Sequence, residues 1–218
     1  PPPPPPPTSI IHHPATTEHY TRQPSSAASD VYKRQVLTVA GIAVFAFRDK
    51  LRGKAVPDDI KPGKPLPEFS AVDENGAPLS SGDLRGRPSV LLFVRGNWCP
   101  FCSKQVQKLT QYYREINESG AHLILVTPKP LETTRRVAEF FNVAFEFWLD
   151  DSLAIGRQLG LVHEAGVPKS YDREYGRDTL WPTTLVVDRD GVIRHTELSR
   201  FIADRPDPEK ILRIVRSL

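Results

Sequence analysis

The sequence predicts an α/β fold: a central sheet with helices on both faces, preceded by an N-terminal appendage. Three observations predict it. Residues 89–95 (SVLLFVR) and 121–127 (AHLILVT) are continuous apolar runs, the pattern of strands buried on both faces. The stretch after the first run switches to helical spacing, with apolar residues at Val106, Leu109, Tyr113 and Ile116. Asn75-Gly76 and Asp190-Gly191 each sit between apolar segments, as the turns of β-hairpins do. The order is therefore hairpin, strand, helix, strand, helix, strand, helix, hairpin, helix, within one layered domain.

Taken in order, residues 66–72 and 77–80 form the first hairpin around Asn75-Gly76. Residues 89–95 form a buried strand, and 100–119 a helix that Gly120 ends. Residues 121–127 form the next buried strand, 131–141 a helix, and 145–149 a third strand. Residues 152–159 read as a short helix before Gly160. Residues 183–188 and 192–197 pair across Asp190-Gly191. The last helix has Asp207 as N-cap, Pro208 at its first position, and a stripe of Ile211, Ile214 and Val215.

The appendage has a different composition. Of the 22 prolines in the 218-residue chain, nine lie in residues 1–30, seven as one run, and the chain has no methionine. Residues 1–35 show no apolar period and are expected to be disordered. Residues 26–35 (SAASDVYKRQ) also read as translated sequencing-adapter text, so 1–35 is set aside from the fold argument. Residues 36–47 (VLTVAGIAVFAF) are uncharged and are followed by a basic cluster. As a helix these twelve residues span about 18 Å against a hydrocarbon core of about 30 Å. Residues 36–54 are expected to be the truncated end of a membrane anchor. A secretory signal and a soluble helix are the alternatives, and the side of the membrane stays open. Residues 55–65 read as a linker.

Charge argues against one class of partner. Residues 48–64 hold six Lys/Arg against three Asp, and residues 1–35 hold three against two acids. The whole chain carries +3, so residues 65–218 are close to neutral, with no basic footprint for nucleic acid.

Both cysteines lie in Trp98-Cys99-Pro100-Phe101-Cys102, where the first buried strand turns into a helix. A sulfur at a helix N-terminus faces unpaired N–H groups and the positive end of the dipole, which favour thiolate. Cys99 is expected to be an exposed N-cap nucleophile, with Pro100 at the first helical position, where no N–H is needed. Cys102, three residues on, is expected to resolve a mixed disulfide on Cys99. Two cysteines are too few for a structural zinc site unless histidines help. His122, His163 and His195 lack paired spacing. Neither a metal nor an organic cofactor is required, because the dithiol carries two electrons. A dithiol used for metal binding or redox sensing is the non-enzymatic alternative.

Four segments carry a family resemblance: residues 66–84 (LPEFSAVDENGAPLSSGDL), 90–105 (VLLFVRGNWCPFCSKQ), 147–161 (FWLDDSLAIGRQLGL) and 181–193 (WPTTLVVDRDGVI). Residues 66–218 resemble the thioredoxin-like redoxins, the group spanning the alkyl hydroperoxide reductase/thiol-specific antioxidant (peroxiredoxin) family and membrane-tethered thiol–disulfide oxidoreductases. The resemblance implies a thioredoxin-like fold, a mixed sheet with an added N-terminal hairpin. It implies an oxidoreductase acting on protein or small-molecule thiols and disulfides, or on peroxides, and recharged by a thioredoxin-type donor. It places Trp98 over the dithiol. It also implies a cis peptide bond before Pro182, which would present the Trp181 backbone, beside Thr183, to a substrate chain.

Several positions depart from the family pattern. If Cys102 takes the peroxidatic place, the position three residues before it, where the family carries Thr or Ser, is Cys99, and the family's proline four residues before that is Arg95. Thr183-Thr184 stand where a peroxide-polarising arginine is expected. Phe93 replaces the buried acid of thioredoxins, and Gln105 replaces a glutamate after the second cysteine. Arg95 is a candidate to stabilise thiolate in place of the missing groups, with a solvent-facing side chain as the alternative. The charged loop 171–178 (YDREYGRD) is expected at the rim of the site. Thiol–disulfide exchange is the leading expectation and thiol-dependent peroxide reduction the second.

Overall fold

The computed structural model describes residues 26–51, 54–96, 98–128, 146–201 and 204–218. Two compact units divide the chain, residues 1–48 and 49–218. Helix α1 (Ser26–Leu51), which lies in the first unit as far as Arg48, exposes Val31, Leu37, Val39, Ile42 and Phe45 there. Residues 26–35, expected to be disordered, are therefore helical, and residues 1–25 lie outside the described residues. An alternation of Ala, Val, Tyr, Lys and Arg without Gly or Pro is compatible with helix on local propensity alone. The expected anchor is not supported: among the described residues, no helix is long and apolar enough to cross a membrane.

The second unit is built on a seven-stranded sheet. Its strands are β1 (Ser70–Val72), β2 (Pro78–Ser80), β3 (Ser89–Phe93), β4 (His122–Thr127), β5 (Glu146–Leu149), β8 (Thr183–Val187) and β9 (Ile193–Leu198), in the order β2-β1-β5-β4-β3-β8-β9. β3, β4 and β5 run parallel, while the hairpins β1–β2 and β8–β9 join antiparallel at the two sides. A separate antiparallel pair, β6 (Val162–His163) and β7 (Thr179–Leu180), forms a small sheet.

The apolar runs are continuous because β3, β4 and β8 are covered on both faces. Val90, Leu92, Leu123, Leu125 and Val186 meet helix α2 (Pro100–Glu118) through Val106, Leu109 and Ile116. The same face receives Ile211, Leu212 and Val215 of α5 (Pro208–Val215). Alternate residues Leu91, Phe93, Ile124, Val126 and Leu185 turn the other way, against Trp148, Ile60 and the short helix α3 (Ala154–Gln158) through Ile155. The helix expected over 131–141 lies outside the described residues.

The two hairpins close by one device. Asp73 accepts from the N–H groups of Asn75 at 2.8 Å and Ala77 at 2.7 Å. Asp188 does the same for Asp190 at 3.0 Å and Val192 at 2.9 Å. In each, an Asp two residues before the Asn/Asp-Gly pair folds the turn onto its own carboxylate.

Residues 55–65 are not a free linker. Ile60 is fully buried, Pro65 bridges Val192, and Gly63 N–H donates to the Ile193 carbonyl at 2.8 Å. Leu66 N–H donates to the Gly191 carbonyl at 2.8 Å, so the segment docks on the β8–β9 hairpin. Proline and glycine suggested looseness; the apolar anchor Ile60 and the free backbone groups of the hairpin supplied the attachment.

Candidate active site

β3 ends at Phe93, and the chain crosses Arg95 and Gly96 before α2 begins at Pro100. Gly96 is required there: its φ is +130°, and a Cβ would lie 2.8 Å from Trp98 Nε1. Trp98 can therefore fold back over the turn. Cys99 is the N-cap of α2, and its carbonyl accepts from Cys102 N–H at 3.0 Å and Ser103 N–H at 3.2 Å.

Both cysteines are free thiols, and both are buried. Cys99 is 1% exposed and Cys102 3%. The expected exposure of Cys99 is thus corrected. Val94 and Trp98 pack against the sulfur pair, and an arginine closes over it.

That arginine is Arg205, which the sequence reading did not select. Its Nη2 lies 3.2 Å from Cys102 Sγ and 3.8 Å from Cys99 Sγ. Its Nη1 donates to the Asp204 carbonyl at 2.6 Å and to Ser199 Oγ at 3.3 Å. Ser199 Oγ in turn donates to the Asp204 carbonyl at 2.6 Å, which fastens the loop that carries Arg205. One signal was available: Arg205 directly precedes the Pro-Asp-Pro start of α5, and a helix packed on the face of α2 delivers its first turn near the first turn of α2.

Arg95 does not face solvent. It is 2% exposed, its Nη2 donates to the Gly166 carbonyl, and its guanidinium carbon lies 4.6 Å from the centre of the Trp98 ring. Its own carbonyl accepts from Thr179 Oγ1 at 2.8 Å. Tyr171, from the loop expected at the rim, stacks on Trp98 with centroids 6.1 Å apart and planes 24° apart. The loop includes α4 (Asp172–Tyr175).

The structure corrects the reading of Pro182. No cis peptide bond occurs among the described residues, so the bond from Trp181 to Pro182 is trans. Nor is the Trp181 backbone presented for docking. Its N–H donates to the Leu161 carbonyl at 2.6 Å, and its carbonyl accepts from Thr183 Oγ1 at 2.9 Å. Pro182's carbonyl accepts from Ser199 N–H at 3.0 Å, and the Trp181 indole donates to the Ser199 carbonyl at 2.8 Å. Neighbouring segments have taken the groups a substrate strand would use.

The two sulfurs are electrostatically unequal. The Cys99 pKa is lowered to about 5, chiefly by the hydrogen bond Cys102 donates to it, with the Cys102 N–H, Arg205 and Arg95 assisting against burial. The Cys102 thiol is pushed well up, because its proton is held by Cys99 and because it is buried. Burial holds Arg95 below the usual arginine range, opposed by the charge of the two sulfurs. His163 lies against Trp181 in a tilted arrangement, centroids 4.6 Å apart and planes 59° apart, and burial lowers its pKa. Among the described residues, no group of three or more His, Cys, Asp or Glu is placed to hold a metal ion.

Beside Arg205 a groove of about 490 Å³ opens between α2 and the start of α5, lined by Phe101, Lys104, Lys108 and Phe201. Phe93 is buried in the apolar core and Gln105 is buried on α2; neither supplies an acid to the dithiol.

The family model described as AhpC/TSA family matches residues 62–196. Chloroplastic peroxiredoxin Q of Sedum lineare is 24% identical over 168 residues, covering 77% of this chain and 84% of that protein. The thiol-disulfide oxidoreductase ResA of Bacillus anthracis is 27% identical over 131 residues, covering 60% of this chain and 66% of that protein. Among solved structures, peroxidoxin BcpB of Mycobacterium tuberculosis superposes with a TM-score of 0.61 at 22% identity, covering 73% of this chain and 98% of that one. The fold is therefore the expected thioredoxin-like one.

Proposed function

The chain belongs to the AhpC/TSA family and is an oxidoreductase, and from that premise we propose that it is a thiol–disulfide oxidoreductase with Cys99 as nucleophile and Cys102 as resolving thiol. The observation that carries this reading is the inequality of the two sulfurs. A thiol with a pKa of about 5 is almost wholly thiolate at pH 7, whereas an ordinary one near 8.5 is only a few per cent thiolate. If Cys102 takes the family's peroxidatic place, the residue there is the one kept protonated.

In the exchange reaction, Cys99 thiolate attacks one sulfur of a substrate disulfide. The substrate S–S bond breaks, its other sulfur leaves as thiolate and takes a proton, and a mixed disulfide forms. Cys102 then loses its proton and attacks Cys99 Sγ. The Cys99–substrate bond breaks, and the domain is left with a Cys99–Cys102 disulfide. Arg205, 3.2 Å from Cys102 Sγ, favours the thiolate that Cys102 must become.

Peroxide reduction is the second reading, favoured by the likeness to peroxiredoxin Q and by a guanidinium that spans both sulfurs. There Cys99 thiolate attacks a peroxide oxygen, the O–O bond breaks, the other oxygen leaves as hydroxide or alkoxide and takes a proton, and a sulfenic acid remains on Cys99; Cys102 then attacks that sulfur and displaces water to form the same disulfide. In peroxide reduction the disulfide is returned to the dithiol by a thiol donor, for which a thioredoxin-type dithiol is one candidate.

Parallel assays of insulin-disulfide reduction and hydrogen peroxide consumption test the two readings. Exchange predicts the first activity, abolished in Cys99→Ser. It also predicts a stable mixed disulfide with substrate in Cys102→Ser. Peroxide consumption without disulfide reduction selects the second reading. If Cys102→Ser is inactive while Cys99→Ser traps substrate, the roles are reversed and the proposal fails.

A further inference from the structure

We propose that Arg95 and Arg205 make the Cys99–Cys102 disulfide an oxidising one, so that the domain passes disulfides to the thiols of its substrates. The proposal rests on the reading of the two cysteines as a redox couple and places its equilibrium on the oxidising side, so that the exchange written above runs in reverse with substrate thiols. Arg95 is buried to 2% exposure, and its Nε and Nη1 have no hydrogen-bond partner among the described residues. Its Nη2 donates to the neutral Gly166 carbonyl, and the guanidinium is also hydrogen-bonded to the Cys99 sulfur. Arg205 reaches both sulfurs.

Buried guanidinia require a compensating anion. In the reduced state the Cys99 thiolate supplies one. In the disulfide that negative charge is gone, and the cations stay. Arg205 retains the nearby Asp204 carboxylate, which is itself bonded to Arg200. For Arg95 the principal opposing charges are the two sulfurs. The reduced state is thus stabilised relative to the oxidised one, which raises the reduction potential of a dithiol. The absence of an acid at Phe93 and Gln105 leaves this bias without a counterweight on the neighbouring strand and helix.

The transfer balances as follows. A substrate thiolate attacks Cys99 Sγ, the Cys99–Cys102 bond breaks, and Cys102 leaves and takes up a proton. The second substrate thiolate attacks the substrate sulfur of the mixed disulfide and expels Cys99 as thiolate. The substrate dithiol is oxidised by two electrons, the domain disulfide is reduced by two, and one proton goes to solvent. A hydroperoxide regenerates the disulfide, being itself reduced to an alcohol and water.

The test is equilibration of the full chain in glutathione buffers, with the Cys99–Cys102 disulfide quantified after acid quench and alkylation. Arg95→Met and Arg205→Met are each expected to favour the disulfide over the dithiol by about tenfold relative to wild type, which is about 30 mV for a two-electron couple. Either folded variant staying within twofold of wild type, or shifting the other way, overturns the proposal. If Arg95→Met does not fold, Arg205→Met carries the test alone. A merely structural role for either arginine would alter stability in both redox states and leave this ratio unmoved. If wild type forms no internal disulfide at any glutathione ratio, it is the redox reading of the pair that fails, a different outcome.

Discussion

Arg205 Nη2 lies 3.2 Å from Cys102 Sγ although 103 residues separate them in sequence. The contact exists because α5 and α2 share one face of the sheet, so that the segment leading into α5 passes the N-terminus of α2. A cation in that position acts on both sulfurs, lowering Cys99 and partly offsetting the rise in Cys102.

Removing that cation should therefore weaken the nucleophile. In Arg205→Met the alkylation rate of Cys99, followed against pH in the reduced protein, should rise through a midpoint about one unit higher than in wild type. An unchanged midpoint would assign the depression to the Cys102 hydrogen bond, the helix terminus and Arg95.

The same thiolate ties stability to pH, and the sign is fixed by the direction of the shift. Cys99 titrates at about 5 when folded, against about 8.5 for an unperturbed thiol. Between those values the unfolded chain binds the extra proton, so stability rises with pH. The contribution is complete above the unfolded value and is lost as pH falls through about 5. Denaturant titrations of reduced protein should show this slope, and those of the oxidised protein, which has no thiol to ionise, should lack it.

The paired hairpin turns make a comparison within one molecule. Asp188 accepts from two backbone N–H groups, as Asp73 does, and also pairs with Arg194 Nε at 2.5 Å. Asp188→Ala should cost about 2–3 kcal/mol and Asp73→Ala about 1 kcal/mol, because the former loses a charge-assisted pair as well as the turn. Equal midpoint shifts in urea would count against this account.

Gly156 occupies a close approach rather than an unusual conformation. Its N–H donates to Asp150 Oδ2 at 2.8 Å, and a Cβ there would sit 2.4 Å from Leu180 Cδ2. Gly156→Ala should destabilise by about 1–3 kcal/mol despite the gain in helix propensity, because overpacking outweighs it. Adding Leu180→Ala should recover part of the loss, measured as a double-mutant cycle.

Local signals made much of the fold legible. Asn75-Gly76 and Asp190-Gly191 mark turns by their own chemistry, and Asp207 caps α5 by accepting from Glu209 N–H at 3.2 Å. Cys99-Pro100 likewise announces the start of α2. What escaped depends on distant partners. Arg205 finds the sulfurs through helix packing, Ile60 anchors residues that looked like linker, and Ser199 and Leu161 occupy the backbone around Trp181 and Pro182. Burial of Cys99 escaped for the same reason, since its cover comes partly from a residue beyond β9.

The stack of Tyr171 on Trp98 separates two tasks within the chain. Reactivity is set by the turn into α2 and by two arginines. Above it, Trp98 is covered by an aromatic ring from a loop that adds no strand to the main sheet. Such a loop can change length and charge while β3, α2 and the dithiol stay as they are. Selectivity among substrates is therefore free to drift without disturbing the electron chemistry beneath it.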